Sequence, residues 1–281
     1  MVEDLLADQL PFAVAEAFLS WGWRVPFWLS IVMVAVGLYI RLGILETPVF
    51  QRILDMQQTA SAPVIEVIRR QPKEIILTAL CRMAEQGPFY VYAAFIFTYG
   101  TTILHSSRDF LLTALLVATG LSVVTIPLAG AISDRIGRKR MYLIGAVTTG
   151  IFCFVYFAML HTMVPAVIFL AIVLSFIPHD MMYGPQAALI AECFAPRLRY
   201  SGSSLGYHLS SVIAGGPAPL IATALLAATG SGYAVAIYIM ICAIVSVSAT
   251  AFLPDYTNRD ISHDGVYYDA SQRQPERPLQ A

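Results

Sequence analysis

Charged residues are scarce in this chain, at 12% of 281 residues against 58% hydrophobic. A soluble domain of this length carries about twice that charge, so an ordinary soluble globular protein is excluded. The net charge of −1 provides no basic face, and no nucleic acid partner is expected. Cysteine is equally sparse. Cys81, Cys153, Cys193 and Cys242 lie in or at the edges of apolar runs, with neither metal-ligand spacing nor a disulfide framework. They read as small packing residues. There is no H-E-x-x-H, no nucleophile elbow and no cluster of metal ligands, so neither enzymatic activity nor a cofactor is expected. Met1 to Gln9 carries Glu3, Asp4 and Asp8 where a basic segment would open a cleavable signal peptide.

What the chain has is apolar runs of bilayer-crossing length. Seven are expected: about Val25–Ile44, Ile75–Tyr99, Phe110–Ala129, Met141–Leu160, Ala166–Ile190, Ser203–Ala228 and Tyr233–Leu253. The fold class is therefore an all-α polytopic membrane protein. Residues 1–24 read as an outer, interfacial segment, ending in Trp21, Trp23 and Arg24, which suit a membrane–water boundary. Residues 25–44 form the first span and 45–74 a polar cytoplasmic segment. Within the latter, Pro63 to Arg70 reads as a short amphipathic helix lying on the membrane. Residues 75–253 hold the remaining six spans. Residues 254–281 are polar and read as a disordered cytoplasmic tail. Arg24 and Arg108 fall on one side of the bilayer and Arg82 inside a span, while the other fourteen of the seventeen cations fall on the opposite side or in the tail. That side is expected to be cytoplasmic.

The turn that organises the whole is Gly130-Ala-Ile-Ser-Asp134-Arg135-Ile-Gly137-Arg138-Lys139-Arg140, four cations and a carboxylate between two spans. Gly130 permits close helix approach and Gly137 a tight turn. Asp134 can pair with Arg138 or face a helix N-terminus. The order G-x-x-x-D-R-x-G-R-K-R resembles the signature loop of the major facilitator superfamily. Trp21 to Phe27, Gly37 to Arg41, Glu46 to Phe50, Met182 to Ala187 and Arg199 to Tyr207 narrow the likeness. Together they resemble the metabolite:proton symporter family within that superfamily.

The resemblance implies twelve helices in two halves, with this chain beginning just before helix six. It would comprise a partial fold, the C-terminal six-helix half plus one preceding helix, without the first five helices of a complete N-terminal half. Residues 45–74 become the linker between halves. Gly130, Asp134, Arg135, Gly137, Arg138 and Lys139 become a gating loop. The implied function is proton symport of a small organic acid or zwitterionic metabolite. The implied location is the inner, plasma membrane, multi-pass, with the C-terminus cytoplasmic. The partners are then that metabolite, protons, the lipid bilayer and the N-terminal half. The alternative is an inactive or non-transporting membrane scaffold.

Charged groups inside a bilayer are costly and usually serve function. Arg82 and Glu85 lie one helical turn apart and can pair. They read either as a cavity wall, with Arg82 binding a carboxylate, or as a bracing ion pair. Tyr92 follows on the same span. On the fifth span His179 and Asp180 sit beside Pro178, followed by Tyr183 and Gln186. Asp180 is ~18 Å of helix rise from Glu192, and Glu85 ~15 Å from Ile75, so the two acids are expected at similar depth. His179 alone reads as a packing residue. Asp180, with no cation one turn away, reads as the proton carrier. Gly215, Gly216 and Pro217 mark either a hinge or a site of close helix packing.

These assignments fix a topology. In intact cells, cysteines placed at 55 and 138 should resist an impermeant thiol reagent, and one at 106 should react. Labelling at all three would refute the orientation.

Overall fold

The computed structural model describes residues 16–43 and 63–256. The chain divides into two units, residues 1–56 and 57–281. In the first, α1 (Val25–Gly43) follows a 3-10 turn at Gly22–Arg24, and its described side chains are exposed within its own unit.

The second unit begins with α2 (Pro63–Arg70). A helical run from 72 to 102 follows in four pieces: α3 (Pro72–Cys81), α4 (Met83–Tyr90), a π segment (Val91–Phe95) and α5 (Ile96–Thr102). Three long helices come next: α6 (Arg108–Ile136), α7 (Arg138–Leu160) and α8 (Pro165–Glu192). Then α9 (Arg199–Ser210), a second π segment (Ser211–Gly215) and α10 (Ala218–Thr229) form another interrupted run, and α11 (Gly232–Phe252) closes the unit. Helix α8 packs against α7 and α6, α11 against α7, α3 and α4, and α9 against α3.

Among the described residues, six helical stretches are long and apolar enough to cross a membrane: α1 with its 3-10 turn, α6, α7, α8, the interrupted run 199–229, and α11. The expected span Ile75–Tyr99 is present but broken. Arg82, with ψ of −2°, ends α3. Pro88 within α4 has no backbone N–H to donate, and the π segment adds a residue to the turn that follows it. The carbonyl freed at Cys81 is recovered by the Tyr142 hydroxyl at 2.9 Å and by the Ser246 hydroxyl, from α7 and α11. An interrupted helix is tolerated at membrane depth only when neighbours satisfy the loose backbone groups in this way.

Two apolar clusters make the interior. One gathers Tyr99, Phe157, Leu160 and Ile172, the other Tyr142, Met182, Ile190 and Phe194. The seam between them falls between Ala84 and Val91 on the broken run, and between Phe176 and Met182 on α8. Glu85, His179 and Asp180 occupy that seam, with Arg82 one turn before Glu85 on the side of the second cluster.

Helix α2 departs from the expectation of a helix simply lying on the membrane. Val67 is fully buried, and Glu66 binds Arg197 at 2.7 Å and Arg70 at 2.9 Å, so one face is docked on the loop before α9. Gln71 reinforces the contact, with its Nε2 on the Cys193 carbonyl and its Oε1 accepting from the Ala195 amide. Val64, Ile65 and Ile68 remain exposed on another face. The expected linker residues 45–62 and tail residues 257–281, like positions 1–15, lie outside the described residues.

Helices in lipid associate through close packing of small residues rather than by expelling water. The crossing of α6 and α8 shows this most sharply. A Cβ on Gly184 would lie 2.7 Å from both the Gly130 amide nitrogen and the Ile126 carbonyl oxygen. Backbone cannot move aside as a side chain can. Gly184→Ala should therefore destabilise the protein by ~1–3 kcal/mol in thermal unfolding in detergent. Gly120→Ala, which meets nothing within 4 Å, should be close to neutral. Equal effects would refute the close crossing.

Candidate functional site

The break after α3 turns Arg82 into the interior, where its side chain is fully buried. Nη1 donates to the Tyr207 carbonyl at 2.7 Å. Nη2 donates to Glu85 Oε2 at 3.0 Å and to Gln86 Oε1 at 2.8 Å. The guanidinium also lies 3.4 Å from the centre of the Tyr207 ring, a cation–π contact with α9. Gln86 extends to Ser211, the first residue of the second π segment, at 3.3 Å.

Glu85 is the next link. Gln186 Nε2 donates to its Oε2 at 3.0 Å, and Oε1 faces His179 Nε2 at 3.4 Å. The other ring nitrogen of His179 contacts Asp180 Oδ1 at 3.0 Å, and Thr125 of α6 donates to Asp180 Oδ2. His179 is held in plane by two stacked rings, Phe89 at 5.0 Å and Tyr183 at 5.4 Å. One continuous polar chain thus runs Tyr207–Arg82–Glu85–His179–Asp180–Thr125 and ties together α9, α3/α4, α8 and α6. Glu85 is 3% exposed, Asp180 2% and His179 8%, so all four ionisable groups are withdrawn from solvent. Charges in such a medium persist only when paired and hydrogen-bonded.

The basic turn makes a second constellation. Gly137 adopts φ of 103° and ψ of 131°, a conformation open chiefly to glycine, and this lets α7 start immediately after α6. Arg138 then donates to Asp134 at 3.2 Å and to Glu192 at the end of α8. Lys139 donates to the carbonyls of Ala251 at 2.9 Å and Leu253 at 2.6 Å, a cation at the negative end of α11. The turn therefore clamps the ends of α6, α8 and α11 to the start of α7. Arg135 is exposed.

A model of the Major Facilitator Superfamily matches residues 101–264. The chain belongs to the Major Facilitator Superfamily. It is similar to the shikimate transporter of Escherichia coli (strain K12), 35% identical over 244 residues, covering 85% of this chain and 56% of that protein. It is also similar to the inner membrane metabolite transport protein YhjE of the same organism, 32% identical, covering 80% of this chain and 52% of that protein. A glycine betaine/proline/ectoine/pipecolic acid transporter of Dickeya dadantii (strain 3937), OusA, is 26% identical over 88% of this chain and 51% of its own length. The chain spans about half the length of these curated relatives. No solved structure gives a significant match.

Of the residues singled out from the sequence, Arg82, Glu85, His179, Asp180 and Gln186 come together, and Tyr183 flanks them with 41% of its surface exposed. Three placements differ from expectation. Asp180 does have a basic neighbour, because the imidazole of His179 folds back onto it although successive helix positions diverge by about 100°. His179 accordingly joins two carboxylates rather than serving as an isolated packing residue. Tyr92 leaves the pathway. It falls in the π segment, whose extra residue rotates the helix, and its ring packs against Tyr156 at 4.8 Å in the apolar interior. Both Nη atoms of Arg82 donate to protein groups, as the bracing reading requires, while its buried Nε–H has no partner among the described residues. At the Gly215–Pro217 stretch the close-packing reading finds its contact. The stretch ends a π segment, and a Cβ at Gly215 would lie 2.9 Å from the Gln86 side chain. Thr125 and Glu192 were missed as site residues. The only sequence signal for Thr125 is a hydroxyl two positions before Pro127 within a span.

Removing Arg82 strands Glu85 in the interior. Arg82→Ala should destabilise the fold by about 3–5 kcal/mol, whereas Arg82→Met combined with Glu85→Gln should recover most of the loss. Unfolding in detergent measures both. A double variant as unstable as the single would refute the bracing role.

Proposed function

We propose that this chain serves proton-coupled secondary transport of a small organic acid or zwitterionic metabolite across the inner (plasma) membrane, with its C-terminus on the cytoplasmic side. The observation that carries this reading is the buried chain of ionisable groups Arg82–Glu85–His179–Asp180 at the seam of the helix bundle. A structural core in lipid has no need of four such groups, and their cost is the usual mark of an ion or proton path. The relatives' names supply the substrate class: shikimate for one, glycine betaine, proline, ectoine and pipecolic acid for another.

In this reading the roles divide by exposure. Glu85, His179 and Asp180, all enclosed, handle the proton. Tyr183 presents an accessible aromatic surface beside them, and Tyr207, Gln86 and Ser211 continue the polar edge toward α9. Binding at that edge is felt by the proton groups through the stack on His179 and through Arg82. The clamp of Asp134, Arg138, Glu192 and Lys139 acts as the gate. Its charge-assisted bonds, worth ~1.5–3 kcal/mol where enclosed and less at the exposed Asp134, hold one end of the bundle closed and must be exchanged when it opens. Gly215, Gly216 and Pro217 are the proposed hinge.

In a transport-competent carrier built on this chain, Asp180→Asn should abolish uptake driven by a proton gradient. It should preserve exchange of labelled for unlabelled substrate, which needs no net proton movement. Uptake and counterflow in proteoliposomes separate the two. Gradient-driven accumulation by Asp180→Asn at the parental rate would refute the assignment.

A further inference from the structure

We propose that the transported proton resides on the imidazole of His179, shared between Glu85 and Asp180, so that His179 rather than either carboxylate alone is the proton-holding residue. The inference deepens the transport reading above and rests on it. Two independent observations carry it.

The first is charge. Arg82 contributes one positive charge and the ionised acids Glu85 and Asp180 contribute two negative ones. With a neutral imidazole the buried chain would hold one uncompensated negative charge. With an imidazolium it is neutral. Among the described residues, the groups that face His179 from the helices around it supply no alternative cation. On α4 they are Glu85 and the Phe89 ring. On α8 they are Asp180 and Tyr183. Helix α6 offers Thr125, whose hydroxyl contacts Asp180 and the Leu121 carbonyl and carries no charge. Arg82 reaches the histidine only through Glu85, and its guanidinium is stacked on Tyr207 of α9.

The second is hydrogen-bond matching. His179 Nδ1 lies 3.0 Å from Asp180 Oδ1 and Nε2 lies 3.4 Å from Glu85 Oε1. A neutral imidazole has one N–H and one lone pair, so one of these contacts would set a lone pair against a carboxylate oxygen. An imidazolium donates to Asp180 and turns its other N–H toward Glu85. The remaining oxygen of each acid already accepts elsewhere, Glu85 Oε2 from Arg82 and Gln186, and Asp180 Oδ2 from Thr125. Those contacts occupy the far oxygen of each acid and leave the bridge as the place for the extra proton. Loss of that proton to an aqueous path removes a donor from the bridge and leaves one buried charge unbalanced, which favours separation of α4 from α8 where Phe89 and Tyr183 stack on the ring.

The test uses the purified 281-residue chain in detergent with 15N-labelled histidine. At pH 7 the His179 resonances, assigned with His179→Gln, should show both ring nitrogens protonated. A neutral tautomer at that pH would overturn the proposal. A second measurement guards against a variant that merely unfolds. His179→Gln removes the compensating proton and should lower the melting temperature. His179→Gln combined with Asp180→Asn restores charge balance and should return it close to the parental value, although two bridging groups are then lost. A double variant less stable than the single overturns the charge argument. Transport insensitive to a protonophore would defeat the transport reading alone. Proton-coupled transport with a neutral His179 would defeat the bridge alone.

Discussion

The structure depends on the enclosure of Arg82. A guanidinium that cannot lose its proton has been drawn into a bundle whose surroundings are as apolar as lipid, and everything nearby is arranged to keep it there. The helix stops at that residue, which frees the Cys81 carbonyl. Tyr142 and Ser246 reach from two other helices to collect it. Tyr207 supplies a carbonyl and a ring face, Gln86 an amide oxygen, and Glu85 the opposite charge. Five elements of the second unit are thereby positioned by one side chain and the break that admits it.

The clamp at the basic turn works on different terms. Asp134 is largely exposed, and an exposed pair contributes little to stability. Glu192 and the carbonyls at the end of α11 are better enclosed, so Arg138 and Lys139 gain more from them than from Asp134. Such contacts order the helix ends without locking them. The contrast with Arg82 is physical rather than topological. Water can replace a lost partner at the turn far more readily than at Arg82, which is fully buried.

Much of this was legible in the sequence because it follows from composition and spacing. Six of the seven expected spans reappear as helical stretches of crossing length, and the seventh, Ile75–Tyr99, falls outside that set, being broken at Arg82 and diluted by Arg82, Glu85 and Gln86. The turn was readable because Gly137 needs a conformation that few other residues adopt, and because the cations around it cannot sit in lipid. Arg82 with Glu85 was readable from their separation of three. What could not be read were relations across helices. Nothing in the sequence sets Thr125 against Asp180, or Glu192 against Arg138, since both depend on how α6, α7 and α8 are rotated. The fate of Tyr92 depended on a π segment, and an added residue in a turn leaves no periodic mark in an apolar run.

The helix irregularities and the polar chain coincide, and one cause accounts for both. Arg82 sits at the gap between α3 and α4. Ser211, reached from Arg82 through Gln86, opens the second π segment. His179 follows Pro178, and Thr125 precedes Pro127 by two residues. A broken or proline-containing turn exposes backbone polar groups that lipid cannot satisfy, so it must face the protein interior. A buried charge needs polar partners, and loose carbonyls are among the few available there. Each therefore draws the other to the same depth. These are also the places where a helix bends most readily, because its own hydrogen-bond ladder is already incomplete. Any change in charge along the chain is thus delivered to the points of α3/α4, α8 and α9 that resist bending least.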